Sequence, residues 1–104
     1  MIARIWRGIA SLENAPHYIA HFQQDVLPEL KQLEGFEDVY VLQRHIDDGV
    51  ELTVMTMWQS LDAIGSFAGQ DTETAVVAPA AQAVLLSFDK HVMHHEIVVK
   101  GSEQ

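Results

Sequence analysis

The chain has 104 residues, 48% of them apolar and 20% charged, the composition of one globular domain with its own core. Lys and Arg total 6 against 15 Asp and Glu, a net charge of −9, so the surface repels phosphate backbones and anionic lipid and disfavours nucleic-acid and membrane-surface partners. There is no cysteine, which excludes thiolate catalysis, disulfides and cysteine-held zinc and fits a reducing cytoplasm.

The opening MIARIWRGIA lacks the basic-then-apolar order expected of a signal peptide, because Arg4 and Arg7 interrupt its apolar residues, and no apolar run has the length of a membrane span. Residues 2–11 alternate and predict a first strand. Asn14 suits an N-cap and Pro16 the first turn of a helix. Along that helix Tyr18, Ile19, Phe22, Val26, Leu30 and Leu33 recur at helical spacing as far as Gly35. Pro28 lies inside it and predicts a kink, since the carbonyl of Gln24 loses its partner.

Residues 36–46 and 50–59 are β-rich runs joined by Asp47-Asp48-Gly49, a hairpin signal. Ser60 can cap a short helix carrying Leu61, Ile64 and Phe67, closed by Gly69. A further helical piece is expected over 79–87 and a last strand over 89–99, with 100–104 as a flexible tail of a single domain spanning 1–104. The order βαββαβ, with one extra helix, is the ferredoxin-like α+β plan with an antiparallel sheet.

Both faces of that sheet are apolar. Leu52, Val54 and Trp58 point one way and Met55 and Met57 the other; in the preceding strand Val39, Val41 and His45 oppose Phe36, Tyr40 and Leu42. Helices cover only one face of such a sheet, so the other predicts a homodimer joined sheet to sheet.

Six histidines raise the question of a metal. His17 and His21 have H-x-x-x-H spacing, but they lie nearly opposite the Phe22, Val26, Leu33 stripe and lack a neighbouring glutamate base, so both are expected on the solvent face. In FDKHVMHHEIVV, residues 88–99, alternation sets His91, Met93, His95 and Ile97 against Val92, His94, Glu96 and Val98. The three histidines of that stretch therefore cannot converge on one ion without a bulge, and no metal site is expected. Trp6 and Arg4 share a strand face. An indole beside a guanidinium can stack a flat aromatic ligand and neutralise a phenolate, or it can be a core tryptophan with an arginine stem packed over it. Phe22, Tyr18, Phe67 and Trp58 supply apolar walls in either reading.

The segments IARIWRG, MTMWQSLDAIGSFAGQD, AVVAP and FDKHVMHHEIV together resemble the antibiotic biosynthesis monooxygenase (ABM) family over residues 2–98. The resemblance implies a dimeric α+β barrel with a pocket in each protomer between helices and sheet. It implies activities that range from cofactor-independent oxygenation of polycyclic phenols or quinones to haem degradation. The haem-degrading branch carries asparagine where Trp6 stands, tryptophan where Phe67 stands and an iron-ligating histidine near Val77, so haem is the less favoured ligand. His94 falls in the V-x-H-x-E of the family's closing motif, and histidine is the natural base near neutral pH.

The expectation is a cofactor-independent monooxygenase, without metal or organic cofactor, for a small planar aromatic substrate. His94 is its base, and Trp6, Arg4, Phe22, Phe67 and Trp58 surround the substrate. The alternative for His94 is a buried histidine satisfied by the backbone. For the whole domain it is a non-catalytic ligand-binding or stress-related module.

Overall fold

A computed structural model describes residues 1–101. Its central strand, β1 (Ile2–Ala10), pairs antiparallel along its whole length with β3 (Gly49–Trp58), from Ile2↔Trp58 to Ala10↔Val50. β3 pairs in turn with β2 (Phe36–Ile46), closing the hairpin at Asp47-Asp48. The far edge of β1 is shared by two short strands, β4 (Ser87–Phe88) and β5 (Met93–Glu96), so the antiparallel order is β2-β3-β1-β4 with β5 also on β1. No helix of the described residues is long and apolar enough to cross a membrane.

One face of this sheet is covered by helices. α1 (Ala15–His21) runs through a π-helical turn, Phe22–Val26, into α2 (Leu27–Lys31). The disruption expected at Pro28 takes this form: proline gives no N–H to the carbonyl of Gln24, and the chain widens just before it, with the Leu27 N–H reaching back to Phe22 O. α3 (Leu61–Ala68) begins as expected, with Ser60 Oγ accepting from the Ala63 N–H at 3.2 Å, and ends at Gly69, whose φ of 80° favours glycine.

Three expectations are corrected. The helix expected over 79–87 is α4 (Pro79–Gln82) alone, because the Leu86 N–H leaves for the edge of β1 and donates to Ile9 O at 2.7 Å. Of the strand expected over 89–99 only β5 forms, with β4 pairing ahead of that range: four residues, Asp89 to Val92, stand against only Trp6 and Arg7 between the pairs Gly8↔Phe88 and Ile5↔Met93. Two of the four bond instead to the segment after α3, through Ala75 N–H to Lys90 O and Val92 N–H to Glu73 O, both 2.8 Å. Phe36 does not share a face with Tyr40 and Leu42. A bulge between Phe36 and Asp38 adds one residue and turns Phe36 toward the helices, where its ring meets Trp58 edge-on at 5.4 Å. Of the expected tail, residues 102–104 lie outside the described residues.

The core lies between the helices and the covered face, with Trp58, Leu30, Leu52 and Ile64 almost wholly buried. Burying each such aliphatic side chain stabilises the fold by about 1.5–3 kcal/mol. On the opposite face the register lines up Tyr40, Met55, Ile5 and Met93 across four strands, and Tyr40 and Met93 keep 52% and 58% of their surface exposed.

Candidate functional site

Between the covered sheet face and the helices lies a cavity of about 70 Å³. Its floor is made by Arg4 and Trp6 of β1 and Val54 and Thr56 of β3; Tyr18, His21, Phe22 and Val26 form the helix wall. The roof is Phe67 of α3 with Val76, Val77 and Ala78, from the irregular strap over 69–78.

Trp6 is fixed at both ends. Its Nε1–H donates to Asp89 O at 2.9 Å, and its ring stacks on Tyr18 with centroids 5.9 Å apart. Gly8 makes room for it, since a Cβ there would come within 2.8 Å of the indole. Arg4 is 4% exposed, and its guanidinium does not lie free beside Trp6. Nη1 donates to Thr72 O at 3.3 Å and Nη2 to Thr74 O at 3.1 Å, while the cation sits 5.7 Å over the Phe67 ring. Arg4 thus clips the strap to the sheet. Burial draws its pKa down, yet a guanidinium stays charged at any physiological pH. At the other end of the clip, Asp71 accepts from the Thr74 hydroxyl at 2.7 Å and from the Glu73 N–H at 3.2 Å, which turns the strap. Burial pushes the Tyr18 phenol far up, so it remains a neutral hydroxyl.

His21 is not on the solvent face. Its side chain is 11% exposed, it lines the cavity, and its Nδ1 lies 2.9 Å from Asp25 Oδ2. Counting the buried stripe through Val26 and Leu33 misplaces it, because the α period does not hold across the π turn. Measured from Tyr18, one turn earlier, His21 flanks the buried face. His17, as expected, is exposed.

Of the residues expected around a substrate, the structure brings Arg4, Trp6, Phe22 and Phe67 together in the cavity wall. Trp58 is not in that wall. It is 0% exposed, bonds Thr56 Oγ1 through Nε1 at 2.8 Å, and backs Phe67 with centroids 6.0 Å apart. His94 also lies outside the lining. It pairs with Arg4 in register, on the same sheet face, and its Nε2 is buried without a hydrogen-bond partner. His95 falls opposite Ala3 on the other face, as alternation requires.

Burial first, and the Arg4 charge second, hold the His94 pKa below its ordinary value against an opposing pull from Glu73. A folded-state pKa lowered in this way means that the unfolded chain takes the proton first as pH falls. Stability present above about pH 6.5, the ordinary histidine value, is therefore lost on acidification. Thermal melts from about pH 7 to about pH 5 should show a falling Tm that flattens in His94→Gln; an equal fall in both proteins would refute this.

The signals for His21 and for the strap were weak in the sequence. Only the D-x-x-T turn at Asp71 and Thr74 marks the segment that Arg4 holds.

Among solved structures, a protein from Bacillus cereus assigned as an antibiotic biosynthesis monooxygenase superposes with a TM-score of 0.69, covering 100% of this chain and 97% of that one at 16% identity. Another so assigned, from Deinococcus radiodurans, gives 0.63 over 96% and 95% at 14% identity. The fold is that of the antibiotic biosynthesis monooxygenases. The same ABM fold is found in the haem-degrader MhuD of Mycobacterium tuberculosis, solved with two haems in its active site, at TM-score 0.65, 17% identity and coverage of 96% and 98%. No family model and no curated protein matches the chain. At these identities the likeness carries the ABM architecture and leaves the chemistry to the residues.

Proposed function

We propose that this ABM-fold chain is a cofactor-independent monooxygenase for a small planar aromatic of phenol or quinone type. One observation carries the reading: four aromatic side chains, Trp6, Tyr18, Phe22 and Phe67, and one buried cation, Arg4, wall a single cavity. Flat rings suit flat ligands, and a fixed positive charge in an apolar site favours the anionic form of a phenol. That anion is electron-rich enough to react with oxygen. When a ring CH2 becomes C=O, the substrate gives up four electrons, which reduce O2 to the carbonyl oxygen and one water. No external reductant enters.

The cavity of about 70 Å³ is smaller than the roughly 150 Å³ that takes one benzene ring. Any aromatic substrate, single-ring or polycyclic, therefore needs the strap over 69–78 to move outward. Haem fits this wall poorly. Val77, where the resemblance puts an iron ligand, lines the cavity with a side chain that cannot coordinate iron.

Oxygen uptake over a panel of hydroquinones and polycyclic phenols tests the reading, with turnover expected to persist in the presence of a metal chelator. No uptake on any member would overturn it, and retained aromatic binding would then favour the non-catalytic ligand-binding module.

A second copy of the chain is the proposed cover for the outer sheet face, whose row Tyr40, Met55, Ile5 and Met93 is too apolar and continuous to favour open water. Sedimentation at micromolar concentration should give twice the chain mass; a stable, soluble monomer would sink the dimeric barrel.

A further inference from the structure

We propose that His21 and Asp25 form a proton-accepting dyad in the cavity, a role that rests on the aromatic-site reading above. The ionisable residues among those that line the cavity are Arg4, Tyr18 and His21. Arg4 is a permanent cation whose N–H groups are given to Thr72 and Thr74, so it has no lone pair to offer. Tyr18 is held as a neutral phenol by burial. His21 alone in that wall can accept a proton, and His94 does not reach the wall.

The geometry of the pair fits the task. Nδ1 of His21 lies 2.9 Å from Asp25 Oδ2, a contact that favours the tautomer with the proton on Nδ1, which donates to the carboxylate and leaves the lone pair on Nε2. A carboxylate behind an imidazole fixes the tautomer and stabilises the imidazolium that forms. Exposure divides the pair in the useful sense: the His21 side chain is 11% exposed, against 65% for Asp25. The imidazole is largely buried in the cavity wall and its carboxylate partner is open to solvent. An ordinary ion pair one turn apart on a helix surface leaves both side chains in water. Asp25 also belongs to the π turn, an insertion that recurs at functional sites because it alters which residues face inward.

In the step itself, the substrate O–H bond breaks and an N–H bond forms at His21 Nε2. The electron pair stays on the oxygen, leaving a phenolate beside an imidazolium, and no electron transfer is involved. Asp25 acts through His21 and is a positioning residue.

The test uses 4-nitrophenol, a single-ring phenol whose anion absorbs in the visible, so that proton transfer is read without turnover. With the native protein near neutral pH, the bound probe should show a phenolate-to-phenol ratio at least about tenfold above that in His21→Gln, a difference of one pK unit. Asp25→Asn, a change at an exposed side chain, should give an intermediate ratio. His94→Gln should leave the ratio as in the native protein. Equal ratios in native and His21→Gln proteins would overturn the dyad, and so would a loss confined to His94→Gln. A probe that fails to bind would remove the aromatic site and the dyad together. A raised ratio in a protein that takes up no oxygen would uphold the dyad while the oxygenase reading falls.

Discussion

Trp58→Ala should destabilise the protein by about 3–5 kcal/mol, a large share of what a domain of this size has to lose. The indole is 0% exposed, wedged between Phe36 and Phe67, and its removal opens a void that these two aromatic neighbours cannot collapse around. Its N–H also serves Thr56 Oγ1, which in turn reaches Arg4 O at 3.5 Å. Trp58→Phe keeps most of the volume and loses that bond, at a cost nearer 1–2 kcal/mol, or about one buried hydrogen bond. Denaturant melts of both variants, beside titration with an aromatic probe, separate core from site. Trp58→Phe should bind the probe as the native protein does, because Trp58 stands behind the cavity wall. A large loss of probe affinity with little loss of stability would place Trp58 in contact with the ligand and refute that placement.

Arg4→Met should release the strap. Methionine keeps an apolar stem in place but gives no donor to Thr72 O and Thr74 O, and a hydrogen bond from a charged group is worth about 1.5–3 kcal/mol. The contact of the cation with Phe67 adds roughly 0.5–2 kcal/mol more. Hydrogen exchange reads the effect locally, since the Ala75 and Val92 amides bond across the junction between strap and last strand. Both should lose protection in Arg4→Met well before the β1–β3 ladder does. Arg4→Lys should recover little, because one ammonium cannot match a planar fork set on two carbonyls. Unchanged protection at Ala75 and Val92 would show that something other than Arg4 holds the strap.

The residues differ in how openly they announced these roles. Trp6, Phe22 and Phe67 reach the cavity as their periodicity implied, since strand alternation and helical spacing are local rules that need no partner. Phe36 broke its rule because a bulge costs one residue of register, and no short-range pattern marks where one will fall. His21 was set on the wrong face because a π turn shifts the phase of the helix beyond it. Arg4 was placed correctly on the strand face of Trp6, but its burial and its hydrogen bonds were hidden, as its acceptors lie 68 and 70 residues away.

Local pattern was enough for the first strand and helix, the hairpin at Asp47-Asp48, the cap at Ser60, the two faces of β3 and the placing of His94 and His95 on opposite faces. These follow from dihedral preferences and side-chain periods that act within a few residues. The tertiary structure alone decided that the last strand breaks at 89–92 to hold the strap, that Arg4 spends its donors there, that Trp58 backs the cavity and that His21 enters it with Asp25 behind. Each of those depends on which distant backbone groups need a hydrogen-bond partner once the sheet and helices have closed, and that requirement exists only in the folded chain.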